Sequence, residues 1–163
     1  MEGQLITTYY EADHDRLDEL FRQFQASKRS DFRKAKDFFR QFKIGLQRHI
    51  LWEEQVLFPL FEERTGMKEV GPTAVMRREH SQIKEFLEAI HDKIRQKNPA
   101  SDEEETGLLE ILGAHNQKEE QILYPAIDRL LKNQDREVVF EKMAGITGEE
   151  LGSCCAEHQE ARS

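Results

Sequence analysis

A chain of 163 residues, 37% hydrophobic and 34% charged, can build one core of ordinary size, and its 4 Pro and 9 Gly exclude a collagen-like or Pro-rich character. A net charge of −8 would repel a phosphate backbone, and the sequence has no apolar run of the about 18 residues a membrane span needs, so neither nucleic acid nor a membrane is an expected partner. Met1 to Tyr10 lacks the pattern of a secretory signal and the adjacent Cys154 and Cys155 cannot make a disulfide framework, so a cytoplasmic setting is expected.

The hydrophobic pattern predicts helices throughout and no strand. From Leu5 to Phe24, Tyr10, His14, Leu17, Phe21 and Phe24 recur at helical spacing. Ser30-Asp31 can cap a second helix, with a seam of Phe42, Leu46, His49, Glu53, Val56 and Leu60, broken at Thr65-Gly66. Gly71-Pro72 starts a third, with Met76, His80, Ile83, Leu87, Ile90 and Ile94 on its seam, ended by Asn98-Pro99. Ser101 and Glu104 suggest a capping box for a fourth, whose seam is Leu108, Leu112, His115, Glu119, Ile122 and Ala126. Short helices are expected near Glu137–Met143 and from Thr147 to His158. The expected architecture is all-α: one domain over 1–163, with an up-down-up-down four-helix bundle over about 5–131 and a C-terminal helical extension over about 134–160.

An internal repeat carries the chemistry. Residues 49–59 read HILWEEQVLFP and residues 115–125 read HNQKEEQILYP, an offset of 66 that also carries His14 onto His80. Reflection about each interhelical turn puts His14, His49, His80 and His115 at one height in a bundle, and Glu53 and Glu119 lie one helical turn along from His49 and His115. Two carboxylates buried in one slice repel each other and cost several kcal/mol, as an order of magnitude, unless paired or coordinated. A pair of cations, each taking two imidazoles and sharing both carboxylates, offsets that cost. A buried network of imidazolium and carboxylate is the competing reading. Imidazole with carboxylate suits iron, zinc or manganese better than calcium or magnesium.

The order His, His-x-x-x-Glu, His, His-x-x-x-Glu resembles the hemerythrin-like (HHE cation-binding) family over roughly residues 5–131. The resemblance implies a non-haem di-iron bundle, with His14 and His49 on one iron, His80 and His115 on the other, and Glu53 and Glu119 bridging. Manganese and zinc stay open. Two features differ from the oxygen-carrying hemerythrins: Lys84 stands where they have a further His, and Glu119 follows His115 by four residues where they have an Asp at five. The pattern looks closer to the di-iron domain of bacterial iron-centre repair proteins and to hemerythrin-like proteins that process peroxide or nitric oxide. The implied function is binding or processing of oxygen, nitric oxide or hydrogen peroxide, with an unidentified redox partner. The alternative is an iron module for donation or repair, storage or sensing.

Other residues receive plainer expectations. Glu54 and Glu120 are solvated or support the ligands, and Pro59 and Pro125 bend or end their helices. Lys84 lies at the pocket mouth or in water. Tyr10 closes the pocket or packs in the core, and Trp52 packs between helices. His91 and His158 are expected at the surface, and Arg33, Lys34, Lys36, Arg40, Lys43 and Arg48 form a solvated face. Cys154-Cys155 is a half-buried filler or a redox pair.

Overall fold

A computed structural model describes residues 3–146. Among these residues the structure is all helical. Its elements are α1 (Ile6–Ser27), α2 (Phe32–Trp52), α3 (Phe58–Thr65), α4 (Pro72–Arg95), α5 (Asp102–Lys118), α6 (Tyr124–Leu130) and α7 (Asn133–Ala144). A π-turn, Glu53–Leu57, joins α2 to α3, and a second, Glu119–Leu123, joins α5 to α6. The bundle therefore has four rods: α1, α2 with α3, α4, and α5 with α6. Helix α7 packs against the first π-turn, burying Val139 and Met143. The helix expected from Thr147 to His158, and with it Cys154, Cys155 and His158, lies outside the described residues.

Local chemistry explains most of the boundaries. Asp31 caps α2 by accepting from the Lys34 amide at 3.1 Å. Gly66 ends α3 at φ 74°, a left-handed conformation that suits a residue without Cβ. Ser101 stands at the cap of α5 but makes no capping box: its hydroxyl donates to Glu105 Oε2 at 2.5 Å. Gly45 allows α1 and α2 to close, since a Cβ there would lie 2.6 Å from Leu17.

Pro59 and Pro125 neither end nor simply bend their rods. A proline inside an α-helix has no N–H to give and its ring meets a carbonyl four residues back. Each rod widens to a π-turn just before its proline, with the Phe58 amide bonding Glu53 O and the Tyr124 amide bonding Glu119 O, and then continues as α-helix.

Two apolar clusters fill the bundle. One, including Leu17, Phe21, Phe42, Leu46, Ile83, Leu87 and Leu112, lies towards the turns at 28–31 and 96–101. The other, including Ile6, Tyr10, Trp52, Phe58, Met76 and Tyr124, lies towards α7. The repeat histidines fall between the two.

The supposed basic face of α2 is only partly solvated. Arg33, Lys34, Lys36 and Arg40 are exposed, but Lys43 is buried, pairing with Glu88 at 2.7 Å and donating to His91 Nδ1 at 2.5 Å. His91 is correspondingly half-buried rather than a surface residue. The long lysine stem packs on apolar neighbours while its ammonium finds partners at the rim.

Candidate metal centre

All six residues singled out by the repeat are buried, none more than 3% exposed, and all face one layer. Donor atoms of Glu53, His80, His115 and Glu119 lie within 4.8 Å of one another, as do those of His14, His49 and Glu119. Each central carboxylate spans the two groups. Glu119 Oε1 is 3.3 Å from His14 Nε2 while its Oε2 is 3.2 Å from His115 Nε2. Glu53 Oε1 is 3.2 Å from His80 Nε2 and 3.7 Å from His49 Nε2.

A second ring of carboxylates fixes the imidazoles. Nδ1 of His14 donates to Glu120 at 2.9 Å, that of His49 to Asp13 at 2.8 Å, that of His80 to Glu54 at 2.7 Å and that of His115 to Glu79 at 2.9 Å. With Nδ1 turned to a carboxylate, Nε2 is the nitrogen that faces the layer and presents a lone pair there once the imidazole is neutral, as in carboxylate–histidine–metal arrangements. Glu54 and Glu120 thus hold the imidazoles of His80 and His14, crossing between the two halves of the repeat. Asp13 and Glu79 escaped the sequence reading, although a signal was there: an acid precedes both His14 and His80, again 66 residues apart.

Without a cation the layer is electrostatically unfinished. Burial disfavours charge on His14 and His80, but the carboxylates around each outweigh it and raise both to about 9. Burial, with Glu119 alongside, pushes the Glu53 carboxyl up. Glu119 is also fully buried, yet the neighbouring Glu53, His115 and His14 hold it well below the usual carboxylate range. One carboxylate thus keeps its charge by making the other harder to ionise. Even so, Glu53 Oε1, His80 Nε2 and Glu119 Oε2 are buried with no hydrogen-bond partner. Atoms of this kind are rarely left so in a folded protein. Three orphaned donors facing one point, from imidazole and carboxylate, fit a divalent or trivalent cation.

Aromatic rings wall the layer. Phe58 stacks on His80 at 5.7 Å, and the Arg77 guanidinium lies 5.5 Å over the same Phe58 ring. Tyr10 meets His49 edge-on at 5.1 Å and sends its hydroxyl away to Met143 Sδ at 3.2 Å, so it closes the site without donating to it. Trp52 packs between helices as expected, against Tyr9 and Tyr10. Lys84 is exposed, and its charge helps Arg77 and His80 lower the Glu54 carboxyl. A polar groove of about 700 Å³ between α1 and α5, lined by Asp15, Asp18, Asn116 and Glu120, runs to the partner of His14.

Residues 5–127 match the Hemerythrin HHE cation binding domain. The chain belongs to the hemerythrin HHE cation-binding family. Its relatives include the iron-sulfur cluster repair protein YtfE of Enterobacter sp. (strain 638), 30% identical over 104 residues, covering 60% of this chain and 47% of that protein. YtfE of Escherichia coli (strain K12 / DH10B) is 30% identical over 92 residues, covering 53% of this chain and 42% of that protein. The match therefore spans less than half the length of these relatives. No solved structure matches the chain. Among the described residues, no helix is long and apolar enough to cross a membrane.

Proposed function

We propose that the layer holds two iron ions, His14 and His49 on one, His80 and His115 on the other, with Glu53 and Glu119 shared, and that the pair binds or processes oxygen, nitric oxide or hydrogen peroxide. The observation that carries this reading is the aim of the imidazoles: four Nδ1–H groups are clamped outward by carboxylates, turning four Nε2 atoms toward two spanning carboxylates. An imidazolium–carboxylate network would instead hydrogen-bond every inner atom, and Glu53 Oε1, His80 Nε2 and Glu119 Oε2 approach their neighbours to 3.2 Å without a hydrogen bond. The bound pair would supply electrons and open coordination positions. The chain's own residues orient the imidazoles through Asp13, Glu54, Glu79 and Glu120 and exclude bulk water with Phe58, Tyr10 and Tyr124.

Elemental analysis of the iron-replete protein tests this first: two irons per chain are expected, and none would refute it. Consumption of hydrogen peroxide or nitric oxide by the loaded protein then tests processing. A second reading, iron donation or iron-centre repair, is favoured by the similarity to relatives named as iron-sulfur cluster repair proteins. Loaded protein inert toward both molecules that passes its iron to an apo iron–sulfur acceptor would select it.

A further inference from the structure

The repeat is broken at one position inside the layer. An offset of 66 places Tyr124 where the first copy has Phe58, and both side chains are fully buried. Phe58 lies flat on His80 and brings no donor atom. The Tyr124 hydroxyl instead sits among the groups on the His14 and His49 side. It donates to Glu53 Oε2 at 2.7 Å and lies 2.9 Å from Glu119 Oε1. It also lies 3.2 Å from His49 Nε2 and 3.4 Å from His14 Nε2.

We propose that Tyr124 Oη is a ligand to the cation held by His14 and His49, giving that half of the centre five protein donors against four in the His80 and His115 half. This rests on the two-cation reading above. Donors bound to one cation at about 2.0–2.2 Å are separated by about 2.8–3.6 Å, from octahedral to tetrahedral angles. The contacts of Tyr124 Oη with Glu119 Oε1, His49 Nε2 and His14 Nε2 fall in that window, as does the 3.3 Å between His14 Nε2 and Glu119 Oε1. The 2.7 Å to Glu53 Oε2 is a hydrogen-bond length, and Glu53 Oε1, 3.7 Å from His49 Nε2, is the oxygen turned to the other half. The orphaned atoms give the same assignment from the other side. Glu53 Oε1, His80 Nε2 and Glu119 Oε2 face the half that has Phe58, whereas the oxygens facing Tyr124 have its hydroxyl as partner.

Ligation breaks the phenolic O–H bond and forms an oxygen–metal bond. The proton is released to solvent as the cation binds, with no change of oxidation state. The consequence is directional. The five-donor half has little room for an outside molecule, so a small ligand is steered to the cation beside His80, His115 and Phe58.

The test is resonance Raman spectroscopy of the full chain loaded with iron and oxidised to the ferric state, beside Tyr124→Phe and the control Tyr10→Phe. Ring modes of a coordinated phenolate are expected in the unsubstituted chain and in Tyr10→Phe, and their loss is expected in Tyr124→Phe. That variant should keep two irons but release one to a chelator about tenfold faster. Two irons without phenolate modes, or modes that persist in Tyr124→Phe, would overturn the proposal, as would a single iron without those modes. The unsubstituted spectrum decides alone if the variant does not fold. A chain that binds no iron fails differently, since it removes the two-cation reading itself.

Discussion

Two buried polar clusters sit at different heights in this bundle, and only one is complete in itself. Near the turns at 28–31 and 96–101, Lys28, Ser101 and Glu105 are each no more than 4% exposed. Both oxygens of Glu105 are occupied, one by Gln25 at 3.1 Å and the other by Ser101 and Lys28, while Lys28 also reaches Asp102, which Arg29 holds at 2.8 Å. Charge and hydrogen bonds close without help. In the histidine layer two carboxylates face four imidazoles, and three inner atoms have no hydrogen bond. A buried ionic group whose partners are all protein reads as architecture, whereas one with donors left over and aimed at a common point reads as a receptor for a cation.

Substitutions should separate the two clusters. The largest effect is expected from Glu53→Ala, which removes a shared carboxylate. It should lose at least one iron and lower the melting temperature of the loaded protein, and unchanged iron by elemental analysis would contradict the bridging role. Next, Lys28→Met leaves Glu105 buried without its cation and should cost about 3–5 kcal/mol in urea unfolding. Iron content should not change, because the layer has no contact with Lys28. Glu79→Gln or Asp13→Asn should weaken iron affinity about 10–100-fold in a chelator competition while leaving the final iron count intact.

Smaller effects sharpen the contrast in the iron-free protein. Glu53→Gln should raise the melting temperature there, since burial and Glu119 both oppose the Glu53 charge. The same change should lower the iron content. In pH, His14 and His80 are raised from 6.5 to about 9 by their carboxylate neighbours. Their contribution to stability is complete below about 6.5 and is lost as pH rises through about 9. The iron-free protein should therefore melt at lower temperature at pH 9.5 than at pH 6.5, roughly spanning that window, while iron affinity should strengthen over the same interval because the imidazoles must shed protons to bind. Thermal melts with and without chelator check both signs.

Much of this arrangement was legible in the residues. The helical seams located the four rods, and the offset of 66 with the reflected heights placed His14, His49, His80, His115, Glu53 and Glu119 in one layer. What escaped had a common cause: it depends on contacts between rods rather than on spacing along one. Asp13 and Glu79 reach across to histidines on neighbouring rods, and only the paired acid-His dipeptides hinted at them. Tyr124 reads as a motif aromatic until its hydroxyl is seen among four ligand-type atoms. Lys43 sits among exposed basic residues, and only the approach of α4, carrying Glu88 and His91, draws it inside. The prolines marked an irregularity but not its kind, because a widened turn and a broken helix demand the same missing N–H.

Those widened turns bear on how the chain tolerates changes in length. The residue absorbed in each π-turn sets everything beyond it back by about 100° around the rod axis relative to an unbroken α-helix. His49 and His115 lie before the shift, while Phe58 and Tyr124 lie after it, so the inner face is composed of two registers spliced at Glu53 and at Glu119. Deleting one residue from 54–57 or 120–123 would restore an ideal helix with the downstream aromatic still in place, whereas regularising the turn at constant length would rotate that aromatic off the layer. A regularised bundle carrying the same six polar residues would therefore set them behind a different wall, and transplantation of the layer has to carry the irregularity with it.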